Sequence, residues 1–211
     1  SFNIFKRRGV ITMIVFVNGV SGVGKSTVIE KTKEISIQGV LKIEQAKVKE
    51  TLCELGGVKT VEEYRLLPEK TRSSLHTGTT ERIYMADLED VNIVRLYDIH
   101  LCSCSHCDDS EIIRPFRADD GKHIVLIITL VARPENVLVH KNLDLRIRGD
   151  RHITSIDFVV KEQRRAIETA EMYSKVLNIP AKIVSNNGGL DETCFKILNI
   201  IEDVIKNKKE G

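Results

Sequence analysis

Tryptophan is absent, prolines number four, and aromatic residues make up only 5% of the 211-residue chain. Collagen-like and proline-rich low-complexity classes are thereby excluded, and an ordinary folding domain is left. No apolar run approaches the roughly 20 residues needed to cross a bilayer, so no membrane partner is expected. A surplus of one charge is lacking too: 32 Lys and Arg stand against 30 Asp and Glu, a formal net charge of +2. Nucleic-acid binders usually carry a more lopsided basic surface, and no direct nucleic-acid contact is expected. Ser1–Thr12 has no apolar h-region of a secretory signal. With an odd count of five cysteines, this points to a reducing, cytoplasmic setting rather than a disulfide framework.

Met13 precedes the first strong strand, so 1–12 is taken as an N-terminal extension and 13–211 as one domain. Ile14–Val17 is a β-branched apolar run that ends in Asn18-Gly19, the mark of a buried strand. Lys25 to about Ile37 reads as a helix, Leu41–Ile43 as a short strand, and Ala46–Leu55 as a second helix. Helices are also predicted over Val61–Leu67 and from Glu69 to about Leu88, followed by a strand over Val91–Tyr97. Ile124–Val131 is the strongest apolar run and predicts a central strand. Pro134 opens a short helix to about Lys141, and Asn142–His152 reads as a loop because its arginines show no apolar period. A long helix over Ser155–Leu177, a strand at Ile183-Val184, a turn at Asn186–Gly189 and a helix over Asp191–Lys206 close the chain. Strands alternating with helices predict an α/β three-layer sandwich around a mostly parallel sheet. The loops after the strands then share one edge, which brings Gly19–Gly24, Asp98, Arg133 and Asn186–Gly189 together.

Gly19-Val20-Ser21-Gly22-Val23-Gly24-Lys25-Ser26 fits G-x-x-x-x-G-K-[ST] in full and lies between a strand and a helix, as a P-loop must. The loop residues Gly19, Ser21, Gly22, Val23 and Gly24 are expected to turn main-chain N–H groups onto phosphate oxygens at a helix N-terminus. Lys25 is expected to reach the β- and γ-phosphates of ATP, Ser26 to ligate Mg²⁺, and Thr27 to approach the α-phosphate.

The segment from Met13 to Val28 resembles the start of archaeal-type adenylate kinases. Four more segments keep that family's order: Glu62–Pro68, Leu96–His100, Asp144–Arg151, and Ala181–Asn186 followed by Gly188-Gly189. The chain departs from the family after His100, where Leu101–Ser110 stands in place of a Thr-Pro-x-Gly-Tyr segment bordering the acceptor. The resemblance implies a nucleoside monophosphate kinase that moves the γ-phosphoryl of Mg-ATP to an acceptor, AMP first. It assigns Arg65 and His100 to the acceptor side, and Arg148 and Arg151 to a lid spanning about 142–153. Of Arg164 and Arg165, about three turns into the long helix, one is expected to face the phosphates and the other solvent, and Arg164 is taken as the substrate contact. Asp98 would orient the magnesium shell or the acceptor, and Asn186 and Gly188 would hold the adenine. Each of these also has an ordinary reading, as a surface arginine, a capping aspartate, a structural histidine or a plain turn. Two other functions stay open: a kinase for small metabolites of the gluconate or shikimate type, with Asp98 as base, and a slow ATPase serving as assembly factor or switch. Cys102, Cys104 and Cys107, with His106, offer soft donors for zinc, but C-x-C-x-x-C is not a two-knuckle spacing and free thiols are the preferred reading.

Overall fold

The computed structural model describes residues 13–36, 42–46, 48–68, 70–72, 74–75, 93–101, 123–148 and 155–210. Five strands form one parallel sheet: β1 (Met13–Asn18), β2 (Lys42–Gln45), β3 (Ile93–Ile99), β4 (Ile124–Val131) and β5 (Ala181–Ser185). Their spatial order is β2-β3-β1-β4-β5. The helices are α1 (Lys25–Ser36), α2 (Val48–Gly56), α3 (Val61–Arg65), α4 (Pro134–Arg148), α5 (Ile156–Leu177) and α6 (Leu190–Glu210). The α/β fold expected from the alternation is the fold observed.

The two-residue period of β1 explains how both sheet faces become core. Val15 and Val17 point to one face, where Val28 and Ile29 of α1 and Cys194, Ile197 and Ile201 of α6 meet them. Ile14 and Phe16 point to the other, against Ala170 and Tyr173 of α5. A strand buried on both faces has no polar alternation, which is why β1 and β4 read as continuous apolar runs. β4 is buried from Ile124 to Leu130.

The switch point lies beside β1, because the crossover after β1 leads to β2 on one side of it whereas the crossover after β3 leads past it to β4 on the other. Ligands in open α/β sheets sit in the crevice beyond the strand ends at such a point. The register brings Asn18 opposite both Ile99 and Thr129, so the ends of β1 and β3 come level there while β4 runs on to Val131. Asn18 is 1% exposed and ties that edge together. Its Nδ2 donates to Thr129 Oγ1 at 3.2 Å and to the Ala166 carbonyl at 2.9 Å, and its Oδ1 accepts from the Leu101 N–H at 3.2 Å.

One expectation needs correcting. Residues 142–148 are not a loop but the second half of α4, which runs to Arg148. No glycine or proline interrupts 135–148, and Gly149 comes only afterwards, so good helix formers carry the helix to its end without an apolar stripe. The other strands and helices fall within a few residues of their predicted bounds, with β5 extended to Ala181–Ser185. The long helix expected from Glu69 to Leu88 is helical at 70–72 and 74–75, and its remainder lies outside the described residues.

Candidate nucleotide-binding site

The loop between β1 and α1 runs through three glycines at positive φ: Gly19 at 144°, Gly22 at 84° and Gly24 at 94°. Gly24 shows why a side chain is not tolerated. A Cβ there would stand 2.7 Å from the Asn186 side-chain nitrogen, in a backbone region that L-residues avoid. Val20 and Val23 are buried in the core and pin the loop from below. Ser21 is half-buried within it, and Thr27 is exposed on the first turn of α1.

Lys25 opens α1 and is only 6% exposed. Its Nζ donates to the carbonyls of Gly19 at 2.8 Å and Val20 at 3.1 Å. Two side chains from the end of β3 face the same ammonium, the Asp98 carboxylate at 3.8 Å and His100 Nε2 at 3.4 Å. The next residue, Ser26, donates its hydroxyl to Asp98 Oδ2 at 2.6 Å. Lys25 and Ser26 at the start of α1 are thus brought together with Asp98 and His100 from the end of β3, far away in sequence. The hydroxyl of Ser26 and the carboxylate of Asp98 are hard oxygen donors side by side, a set that suits Mg²⁺.

The loop is braced from outside by residues that the sequence reading assigned elsewhere or passed over. Asn186, expected at the adenine, turns its Nδ2 onto the Val23 carbonyl at 2.9 Å, and its own N–H bonds the Val131 carbonyl at 2.8 Å. Gly188 is exposed in the following turn, next to the Glu192 carboxylate. Asn187 Oδ1 accepts the Arg133 N–H at 2.6 Å, which joins the turn after β5 to the turn after β4. From the other side, His140 of α4 sets Nδ1 2.9 Å from the Gly22 carbonyl. His140 carries no motif, and only its place one helix after a core strand hinted at it.

Arg164 lies apart from this cluster. It is exposed on α5 and lines an open cleft of about 630 Å³ with Val131, Pro134, Val160, Ile167 and Glu171, a lining that includes no P-loop residue. Arg65 and Arg148 end α3 and α4, but their side chains lie outside the described residues, as does all of Arg151. The candidate zinc loop with Cys102, Cys104 and Cys107 lies outside them too. Among the described residues no helix is long and apolar enough to cross a membrane.

No protein-family model matches the chain, and no curated protein matches it in sequence. Solved structures do. A shikimate kinase from Acinetobacter baumannii in complex with shikimate superposes with a TM-score of 0.53 at 12% identity, over 90% of this chain and 93% of that one. A shikimate kinase from Bacteroides thetaiotaomicron gives 0.50 at 12% identity, over 90% and 98%. At such identity the likeness is one of fold, and the chain has the fold of P-loop kinases. It does not single out the adenylate kinases.

Proposed function

We propose that the chain is a phosphotransferase that moves the terminal phosphoryl group of Mg-ATP onto a hydroxyl of a small polar metabolite of the shikimate or gluconate type. The observation that carries this reading is the carboxylate of Asp98, which accepts from Ser26 at 2.6 Å and stands 3.8 Å from the Lys25 ammonium. A hydroxyl acceptor must lose a proton as its oxygen bonds to phosphorus, and a carboxylate beside the phosphate-binding lysine can take it. The proton passes to Asp98, the bond from the γ-phosphorus to the bridging oxygen breaks, and ADP leaves with that electron pair. Lys25 offsets the charge that gathers on the bridging and γ oxygens, and the loop amides hold the phosphate chain in line. Bound Mg²⁺ would draw on the Ser26 hydroxyl and neutralise part of the polyphosphate charge, with Asp98 outside its inner shell and able to take the proton. The neighbour solved with shikimate supports an acceptor of this class.

A second reading, transfer to a nucleoside monophosphate such as AMP, draws support from the pairing of Asp98 and His100 at Lys25. That pattern is the aspartate-x-histidine strand end on which the adenylate kinase resemblance partly rests. An ionised monophosphate needs no base, so one variant separates the two. ADP formation is measured with shikimate, gluconate, AMP and other monophosphates, using the wild type and Asp98→Asn. Turnover with a hydroxy acid that falls about 10²- to 10⁴-fold in the variant, with the lost base absent from the pH profile, supports the first reading. Turnover confined to monophosphates supports the second. Slow ATP hydrolysis indifferent to every acceptor would sink both and favour an ATPase acting as switch or assembly factor.

A further inference from the structure

α4 and α5 are joined behind the phosphate loop by an ion pair that the proposed chemistry does not use. Lys141 and Glu162 are each 7% exposed and bonded to each other, Nζ to Oε2. The Lys141 ammonium also stands 5.5 Å from the centre of the Phe158 ring, a cation–π distance. Burying two opposite charges costs desolvation that their attraction often fails to recover, so such a pair is weak evidence for stability. What it does supply is a fixed direction, and here that direction ends on Gly22. A Cβ built on Gly22 would stand 3.1 Å from the Val137 carbonyl oxygen and 3.2 Å from Lys141 Cγ. The loop backbone therefore lies directly on the turn of α4 that carries Lys141, and His140 from the same turn bonds the Gly22 carbonyl at 2.9 Å.

We infer that Lys141 and Glu162 are a positioning pair for the phosphate loop: α5 holds α4 through them, and α4 holds Gly22 at the φ of 84° that aims the loop amides at a polyphosphate. The role acts through the loop and not on the reacting atoms. It rests on the reading of the loop as a polyphosphate site. A preorganised loop binds without first having to be ordered, and loosening its support weakens binding even where no contact to the ligand is removed.

The test is the affinity for Mg-ATP and for inorganic tripolyphosphate, measured by calorimetry on the full chain. The first variant is Lys141→Met/Glu162→Leu, which replaces both charges by apolar groups of similar size. Its Tm should stay within about 4 °C of the wild type or rise. Its affinity for both probes should fall by roughly tenfold or more. A merely structural pair would leave both affinities unchanged. His140→Ala, at an exposed position, is the second variant, with an expected loss of about three- to tenfold. Wild-type affinity in the folded double variant, or in His140→Ala, overturns the inference while leaving the proposed function standing. Absence of binding by the wild type overturns the loop reading, and the inference falls with it.

Discussion

The phosphate loop and the helical pair α2–α3 are held in opposite ways. Besides Lys25, the phosphate loop is braced by side chains from distant elements: Asn186 after β5 and His140 on α4 reach its carbonyls, and Asp98 on β3 faces Lys25. Among the described residues the helical pair packs into a small cluster of its own with the segment that follows it. Leu52, Cys53 and Tyr64 form its small core, with Val58, Val61, Leu67 and Leu75 packed around them. Thr60 caps α3 by accepting from the Glu63 N–H at 3.1 Å, and the Glu63 carboxylate returns to the Lys59 N–H at 2.7 Å. The loop's shape is therefore a property of the whole fold, whereas the separate small core of the helical pair leads to the expectation that the pair loosens without disturbing the sheet. Under the proposed phosphotransferase reading that division is useful, because the donor grip can stay fixed while the neighbouring segment adapts.

The sharpest way to break the comparison is to remove the loop's cation. Lys25 is tied to both the loop and β3, and Lys25→Ala should lower turnover by about 10²- to 10³-fold while leaving the circular dichroism spectrum native. A variant retaining full ATP-dependent turnover would contradict the donor-site assignment.

Paired truncations come next. Ile128 is fully buried at the centre of β4, and Ile128→Ala should cost about 3 kcal/mol of global stability, read from urea unfolding. Leu52 is 7% exposed in the small core, and Leu52→Ala should cost about 2 kcal/mol. The second loss should be local. Amide hydrogen exchange should speed up across 48–68 while β1 and β4 keep their protection. Uniform loss of protection in Leu52→Ala would mean that the two regions unfold as one.

Asn186→Ala tests a single brace on the rigid side. Losing the bond to the Val23 carbonyl should cost about 1 kcal/mol and weaken Mg-ATP binding about fivefold by titration calorimetry. An unchanged affinity would assign Asn186 to the turn alone.

The same contrast explains what the sequence made legible. β1, the loop and β4 were readable because β-branched runs and the G-x-x-x-x-G-K-S spacing are local signals. The braces were not, because each is a polar side chain whose partner lies far along the chain. Asn18 and Ala166 are 148 residues apart, and Lys141 and Glu162 are 21 apart on two helices. A lysine in a helix looks the same in sequence whether it meets water or a buried glutamate. Asn186 is another case, since asparagine suits a turn regardless of what its amide bonds. The second half of α4 was missed because helix propensity alone, without an apolar stripe, carried it.

The smallest effect is a pH response that reads both regions at once through two buried thiols, Cys53 in the small core and Cys194 in the main one. Tyr64 donates its hydroxyl to the Arg72 carbonyl at 3.1 Å. Burial pushes its phenol up from the usual value, and the nearby Arg72 only partly opposes this. A group whose folded pKa is raised contributes stability in full below its unfolded pKa and loses it as pH rises through the folded value. The helical pair should therefore begin to open above about pH 10, where an unfolded phenol ionises. Cys194 follows the same sign, since burial raises its thiol, but it is enclosed by the sheet core. Alkylation followed by mass spectrometry should label Cys53 well before Cys194, with the gap widening toward high pH. Tyr64→Phe removes the titrating group at a cost of about 1 kcal/mol, and the pH-dependent part of the gap should close with it. Equal labelling rates at the two thiols would show that the small core has no independent opening, and the contrast between a fixed loop and a separately packed helical pair would fail.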